Sequence, residues 1–119
     1  MKLPISLGLD WPHRVARVGV PLDWTVASQW SFEPLDATVF PAVELAKRVG
    51  VAGSTYPAVF NAANEQAVLA FHAGSIGYLD ILETVKRVVD AHDPQGMSLE
   101  AVFEAELWAR AEADRLLTA

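Results

Sequence analysis

The chain has 119 residues, no Cys, nine Lys plus Arg against fifteen Asp plus Glu, and a formal net charge of −6. With 52% apolar and 20% charged residues, it has the composition of one small folding domain and not of a disordered segment. The acidic balance excludes a duplex nucleic-acid binder, which needs a basic face. The missing thiols exclude a disulfide framework or a thiolate site. No apolar run of about 18 residues is available to span a membrane. A cytoplasmic protein is expected.

The chain changes character along its length. Residues 1–53 balance Asp10, Asp23, Glu33, Asp36 and Glu44 against Lys2, Arg14, Arg17, Lys47 and Arg48, so the whole acidic surplus falls in residues 54–119. Pro4, Pro12, Pro21 and Pro34, with Trp11, Trp24 and Trp30, lie before residue 36. The first expectation is therefore a connecting arm over 1–36 and a helical unit over 37–119. The apolar start, Leu3 to Leu9, is broken by Pro4, Gly8 and Asp10, which argues against a secretory signal.

In chain order, Leu3, Ile5, Leu7, Leu9 and Trp11 alternate at period two, the pattern of a strand. Residues 18–21 read as a loop. Gln29 to Glu33 alternates and is aromatic, bounded by Pro34 and Asp36, and predicts a short strand. A helix follows from about Pro41 to Val49, with Pro41 in the first turn and Gly50 and Gly53 as stops. A second spans Pro57 to Ala73, with Val59 or Phe60, Ala63, Ala67, Ala70 and Phe71 on its apolar face and Gly74 as stop. A third spans Tyr78 to His92, with Leu82, Val85 and Val89 on one face. Residues 93–96 are a turn. A fourth helix starts after Ser98 as N-cap, with Val102, Phe103, Ala109, Ala113 and Leu116 as its buried stripe. The expected fold is mainly α: a small four-helix bundle-like module preceded by an extended, Pro/Trp-rich arm with one short strand.

The motifs of chemistry are sparse. Gly74-Ser75-Ile76-Gly77 follows a helix, not a strand, so it is a helix stop and not a phosphate cradle. His13, His72 and His92 have no ligand spacing between them. His92, at a helix end, is placed where positive charge is favourable. Glu104 with Glu106, and Glu112 with Asp114, stand two apart on a helix and do not face each other. Glu83 with Lys86 or Arg87, and Glu106 with Arg110, read as helix-surface pairs. No catalytic, cofactor-binding or metal-ligating residue is assigned.

The unusual segment is Asn61-Ala62-Ala63-Asn64-Glu65. Asn is a poor helix former, yet Asn61, Asn64 and Glu65 share one face at i, i+3 and i+4. They are expected to form a structural polar cluster, with Asn61 and Glu65 bonded outside their own helix.

Several runs occur in order: Met1 to Ile5, Trp11-Pro12, Arg14-Val15, Leu22-Asp23, Phe32 to Asp36, Phe40-Pro41, Asn61 to Glu65, and Ala73 to Ile81. Together they resemble the C-terminal part of the 1-deoxy-D-xylulose 5-phosphate reductoisomerase family, in its actinobacterial form, over essentially the whole chain. The resemblance implies a three-part enzyme. An N-terminal domain binds NADPH, a middle catalytic domain holds Mn or Mg, and a helical bundle ends the chain. The reaction makes 2-C-methyl-D-erythritol 4-phosphate in non-mevalonate isoprenoid synthesis. The family's cofactor loop, metal ligands, catalytic Lys and phosphate-binding residues lie upstream of the matching runs, so no cofactor is expected on this chain and no activity from it alone. The NADPH-binding and catalytic domains, in the same or a separate chain, are the implied partners, and the oligomeric state is open. The family run of Met, a basic residue and Pro-Ile lies near substrate and nicotinamide, so Met1 is implied as a pocket-lining residue. The same resemblance implies a short helix at the start, against the period-two pattern. A chain starting at that Met is expected to represent a truncated gene, an alternative start or half of a split gene. A stand-alone helical binding module without catalysis is the alternative.

Overall fold

The computed structural model describes residues 2–94 and 96–118. It divides into two compact units, residues 1–34 and 35–119. Among the described residues there are five helices and no strand: α1 (Lys2–Leu9), α2 (Ala42–Ala52), α3 (Tyr56–His72), α4 (Tyr78–Ala91) and α5 (Leu99–Leu117).

In the first unit, α1 replaces the strand that the alternation of Leu3 to Trp11 predicts and agrees with the short helix that the resemblance implies. Pro4 lies in the first turn, where its missing N–H has no intrahelical partner to lose. The Ser6 hydroxyl donates to the Leu3 carbonyl at 2.9 Å. After the helix the chain is irregular. At Asp23 one carboxylate oxygen accepts both the Thr25 N–H (2.9 Å) and its hydroxyl (2.6 Å).

The strand expected at Gln29 to Glu33 does not form, and those residues are irregular. The alternation survives locally, since the Trp30 and Phe32 rings meet edge to face with centroids 6.5 Å apart. A strand, however, needs a neighbour to take its N–H and C=O groups, and no described residue provides one.

The second unit is an antiparallel bundle with α3 at its centre, lying against α2, α4 and α5. The start of α3 meets the end of α4 through Tyr56 and His92, so these helices run oppositely. Its second half meets the second half of α5 through Gln66 and Asp114, and its start shares a hollow with the start of α5, so these two run the same way although neighbours in sequence run oppositely. Helix α2 runs alongside α4, tied by Arg48 to Asp90 at 2.7 Å.

The core is made of small residues. Val59, Ala62, Ala63, Ala67, Val88, Ala109 and Ala113 are fully buried, joined by Leu45, Val49, Val85 and Val89. Short side chains on facing stripes let helix axes approach closely and fill the interior without large groups. Within the predicted stripe of α5, Phe103 is 56% exposed and Ala105 takes its place inside. The helix spacing selected the small residues, one turn apart, and left the large one out.

The helix ends are built locally. The Asp36 carboxylate accepts the N–H groups of Thr38 (2.9 Å) and Val39 (3.1 Å), turning the chain into α2. Helix α3 ends in a left-handed turn at Gly74, φ +75°. There the Gly74 N–H donates to the Phe71 carbonyl and Ser75 N–H to that of Ala70, a double closure that a β-carbon at Gly74 would strain. Ser98 caps α5 as expected, its hydroxyl accepting from the Ala101 N–H at 3.1 Å. Asp80 reaches back to the Gly77 N–H at 2.8 Å to close the start of α4.

Candidate functional site

Met1, the residue expected to line a pocket, lies outside the described residues. The polar face of α3 lies inside them. Glu65 leaves its own helix and accepts from Arg110 of α5 at 2.5 Å. The other two members of the face have no such bond: Asn61 is exposed, Asn64 is half-buried, and neither has a side-chain hydrogen bond among the described residues. Among the described residues, the bond expected from Asn61 outside its own helix is not seen.

Arg110 is the centre of the cross-link. Its guanidinium donates to Glu106 at 2.8 Å one turn back, to Glu65, and through the other nitrogen to Gln66 Oε1 at 3.2 Å. Gln66 in turn donates to Asp114 Oδ1 at 2.7 Å. Hydrogen bonds from Glu106 first, and then from Glu65, raise Arg110 above the usual guanidinium range. The sequence offers the Glu106–Arg110 pair at i, i+4. It gives no register between α3 and α5, so Glu65, Gln66 and Asp114 could not be assigned to Arg110. The fork geometry of an Arg with five donors is the one available hint that more partners exist.

A second cluster surrounds His92 at the end of α4. Its Nε2 and the Thr55 hydroxyl are 2.8 Å apart, and Thr55 is 1% exposed. The Tyr56 hydroxyl donates to the His92 carbonyl at 3.3 Å. The imidazole lies between the edge of Tyr56 (centroids 5.0 Å) and the tilted ring of Trp108 (5.3 Å). Partial burial holds His92 below the usual imidazole range, with Asp93 opposing. Desolvation of the ring thus outweighs the Asp93 charge. The hollow beside it, with Thr55, His92, Glu104 and Trp108 in its wall, encloses about 260 Å³. That is below the range of roughly 300–1,000 Å³ usual for small-molecule sites.

Among the described residues no group of three or more His, Asp or Glu side chains is placed to hold a metal ion. No helix is long and apolar enough to cross a membrane. The expected pairs of Glu83 with Lys86 or Arg87 are not formed among the described residues, whereas Lys47 pairs with Glu44 at 2.7 Å and Arg115 with Glu112 at 2.6 Å.

Small-cored helices cross-linked through Arg110 and Gln66 define a class first: a small helical module. The family follows from comparison. The family model "DXP reductoisomerase C-terminal domain" matches residues 1–112, and the chain belongs to that family. The 1-deoxy-D-xylulose 5-phosphate reductoisomerase of Leifsonia xyli subsp. xyli is 70% identical over 118 residues, 98% of this chain and 33% of the relative. That of an Arthrobacter species is 56% identical over 98% of this chain and 30% of the relative. Among solved structures, the Zymomonas mobilis 1-deoxy-D-xylulose 5-phosphate reductoisomerase in complex with NADPH superposes with a TM-score of 0.79. It is 40% identical, over 98% of this chain and 31% of that one. The chain thus spans about a third of the length of the relatives it matches.

Proposed function

We propose that the chain serves as the C-terminal helical part of a 1-deoxy-D-xylulose 5-phosphate reductoisomerase. In this reading it is a scaffold for an NADPH- and metal-dependent isomerisation and reduction carried out by the preceding domains. The match of the C-terminal family model to residues 1–112 carries this reading. The observed geometry agrees in kind: Glu65 and Gln66 of α3 are bonded across the bundle to Arg110 and Asp114 of α5. Division of labour follows. Residues 1–36 are the connecting arm that packs on the catalytic domain, and 37–119 are the bundle. Met1 lines the substrate pocket on the resemblance alone. The enzyme works in the cytoplasm, where NADPH is supplied.

The test is complementation. The full chain is mixed with the remaining two thirds of the Leifsonia xyli relative, with NADPH, Mn²⁺ and 1-deoxy-D-xylulose 5-phosphate. Substrate-dependent NADPH oxidation is expected from the mixture and not from either piece. A mixture that stays inactive, or a chain that turns over substrate alone, overturns the reading.

A further inference from the structure

Between the N-terminal halves of α2 and α4 the second unit opens a groove of about 560 Å³. Val39, Leu79 and Leu82 form apolar parts of its wall. Leu79 is 79% and Val39 61% exposed. Large apolar side chains gathered around a concavity mark an interaction site, whereas the same groups scattered singly do not. The wall is held in place: the N–H groups of Thr38 and Val39 are both fixed by the Asp36 carboxylate. Its charged lining is Glu44 and Arg48, paired with Lys47 and Asp90, and Glu83 and Lys86, neither of them ion-paired among the described residues.

We infer that this groove is the docking surface for the preceding domains of the same enzyme, and that its occupant is an apolar ridge flanked by one acidic and one basic side chain. The inference rests on the function proposed above. The relatives hold about two thirds of their length outside the matched region, so a large partner surface exists in the same enzyme. The groove opens where the chain enters the bundle, since Thr38 and Val39 belong to its wall. Domains tethered through that entry reach it at high effective concentration. The unpaired Glu83 and Lys86 accept a partner of mixed charge. A second copy of this chain would instead bring another six net negative charges against an already acidic bundle.

The experiment measures association of the full chain with the remaining two thirds of the Leifsonia xyli relative by titration calorimetry. Leu79→Glu and Val39→Glu alter exposed groove residues. Leu107→Glu alters an exposed Leu of α5, 69% accessible and outside the groove. Helical circular dichroism and melting check that each variant folds. Both groove variants are expected to weaken association by about tenfold or more, as burying an unpaired charge against an apolar ridge requires. Leu107→Glu should leave it unchanged. If the groove variants bind like the parent chain, or Leu107→Glu is the one that weakens binding, the groove assignment is overturned and the scaffold reading stands. If the parent chain does not associate at all, the scaffold reading fails and takes the groove with it.

Discussion

The two units use apolar residues in opposite ways. Before Leu35 the side chains are large, and Trp11, Trp24, Trp30 and Phe32 are all at least two-thirds exposed, with no described residue buried. After it the core is Ala and Val with one Leu, Leu45, and the largest fully buried side chains are Val59, Val85, Val88 and Thr55. Size of apolar group therefore does not decide what is buried here. Periodicity does, because only a stripe repeated at helical spacing can face another such stripe along its length. An irregular segment has no such stripe, and ordering it costs about 1–2 kcal/mol per residue against roughly 2 kcal/mol for each large side chain it buries.

Backbone exchange gives the largest contrast. Amides of residues 85–89 should open only with the whole bundle and exchange orders of magnitude more slowly than those of residues 24–32. Equal protection of the two segments by hydrogen-exchange mass spectrometry would erase the distinction between the units. A mutational version follows. Ala109→Leu puts three extra carbons at a fully buried site and should cost about 1–3 kcal/mol in urea unfolding. Trp24→Ala, at a side chain 87% exposed, should stay within about 0.5 kcal/mol. A larger loss from Trp24→Ala would show that the first unit contributes to the cooperative fold.

The same contrast explains what could be read in advance. All four bundle helices were legible, because each combines a periodic stripe with a local signal. Ser98 starts α5, Gly74 stops the chain after α3, and Pro41 precedes α2. The segment Gln29 to Glu33 was not legible, because a strand is decided by a partner that the local sequence does not contain. Lys2–Leu9 misled by pattern alone, since five alternating residues fit either state once Pro4 occupies a first turn. Within the candidate site, Glu106 with Arg110 was visible as an i, i+4 pair. Glu65, Gln66 and Asp114 joined it only through the packing register of α3 on α5, which no local spacing encodes.

That register can be tested at a smaller scale. Arg110 is 30% exposed at the side chain and bridges α3 to α5 through Glu65. Arg110→Ala should destabilise the bundle slightly, by less than Ala109→Leu does, as for partly exposed pairs. Glu65→Gln should lose part of that, and the double variant should show coupling, since the two share one interaction. Strictly additive losses would mean that the α3–α5 cross-link adds nothing to the stability of the second unit.

The smallest effect expected is the pH dependence at His92, which distinguishes a buried helix end from an exposed one. Burial lowers the folded-state affinity of this imidazole for its proton, with Asp93 acting the other way. The other groups facing it are the Thr55 hydroxyl, the Tyr56 phenol and the Glu104 carboxyl across the hollow. In the unfolded chain the ring titrates near its ordinary value of about 6.5. Below that pH the unfolded state binds more protons than the folded one, so stability rises with pH through this window. The contribution is fully present above the unfolded value and is lost as pH falls from there through the lower folded value. Urea unfolding at pH 7.5, 6.5 and 5.5 should therefore show the parent chain losing stability on acidification more than His92→Gln. Glutamine keeps a hydrogen-bonding group for Thr55 and takes up no proton, and the carboxylates that titrate at lower pH are common to both proteins. A parent chain that gains stability relative to His92→Gln as pH falls would mean that attraction from Asp93 and the α4 carbonyls outweighs desolvation, and that this helix end behaves as a solvated one.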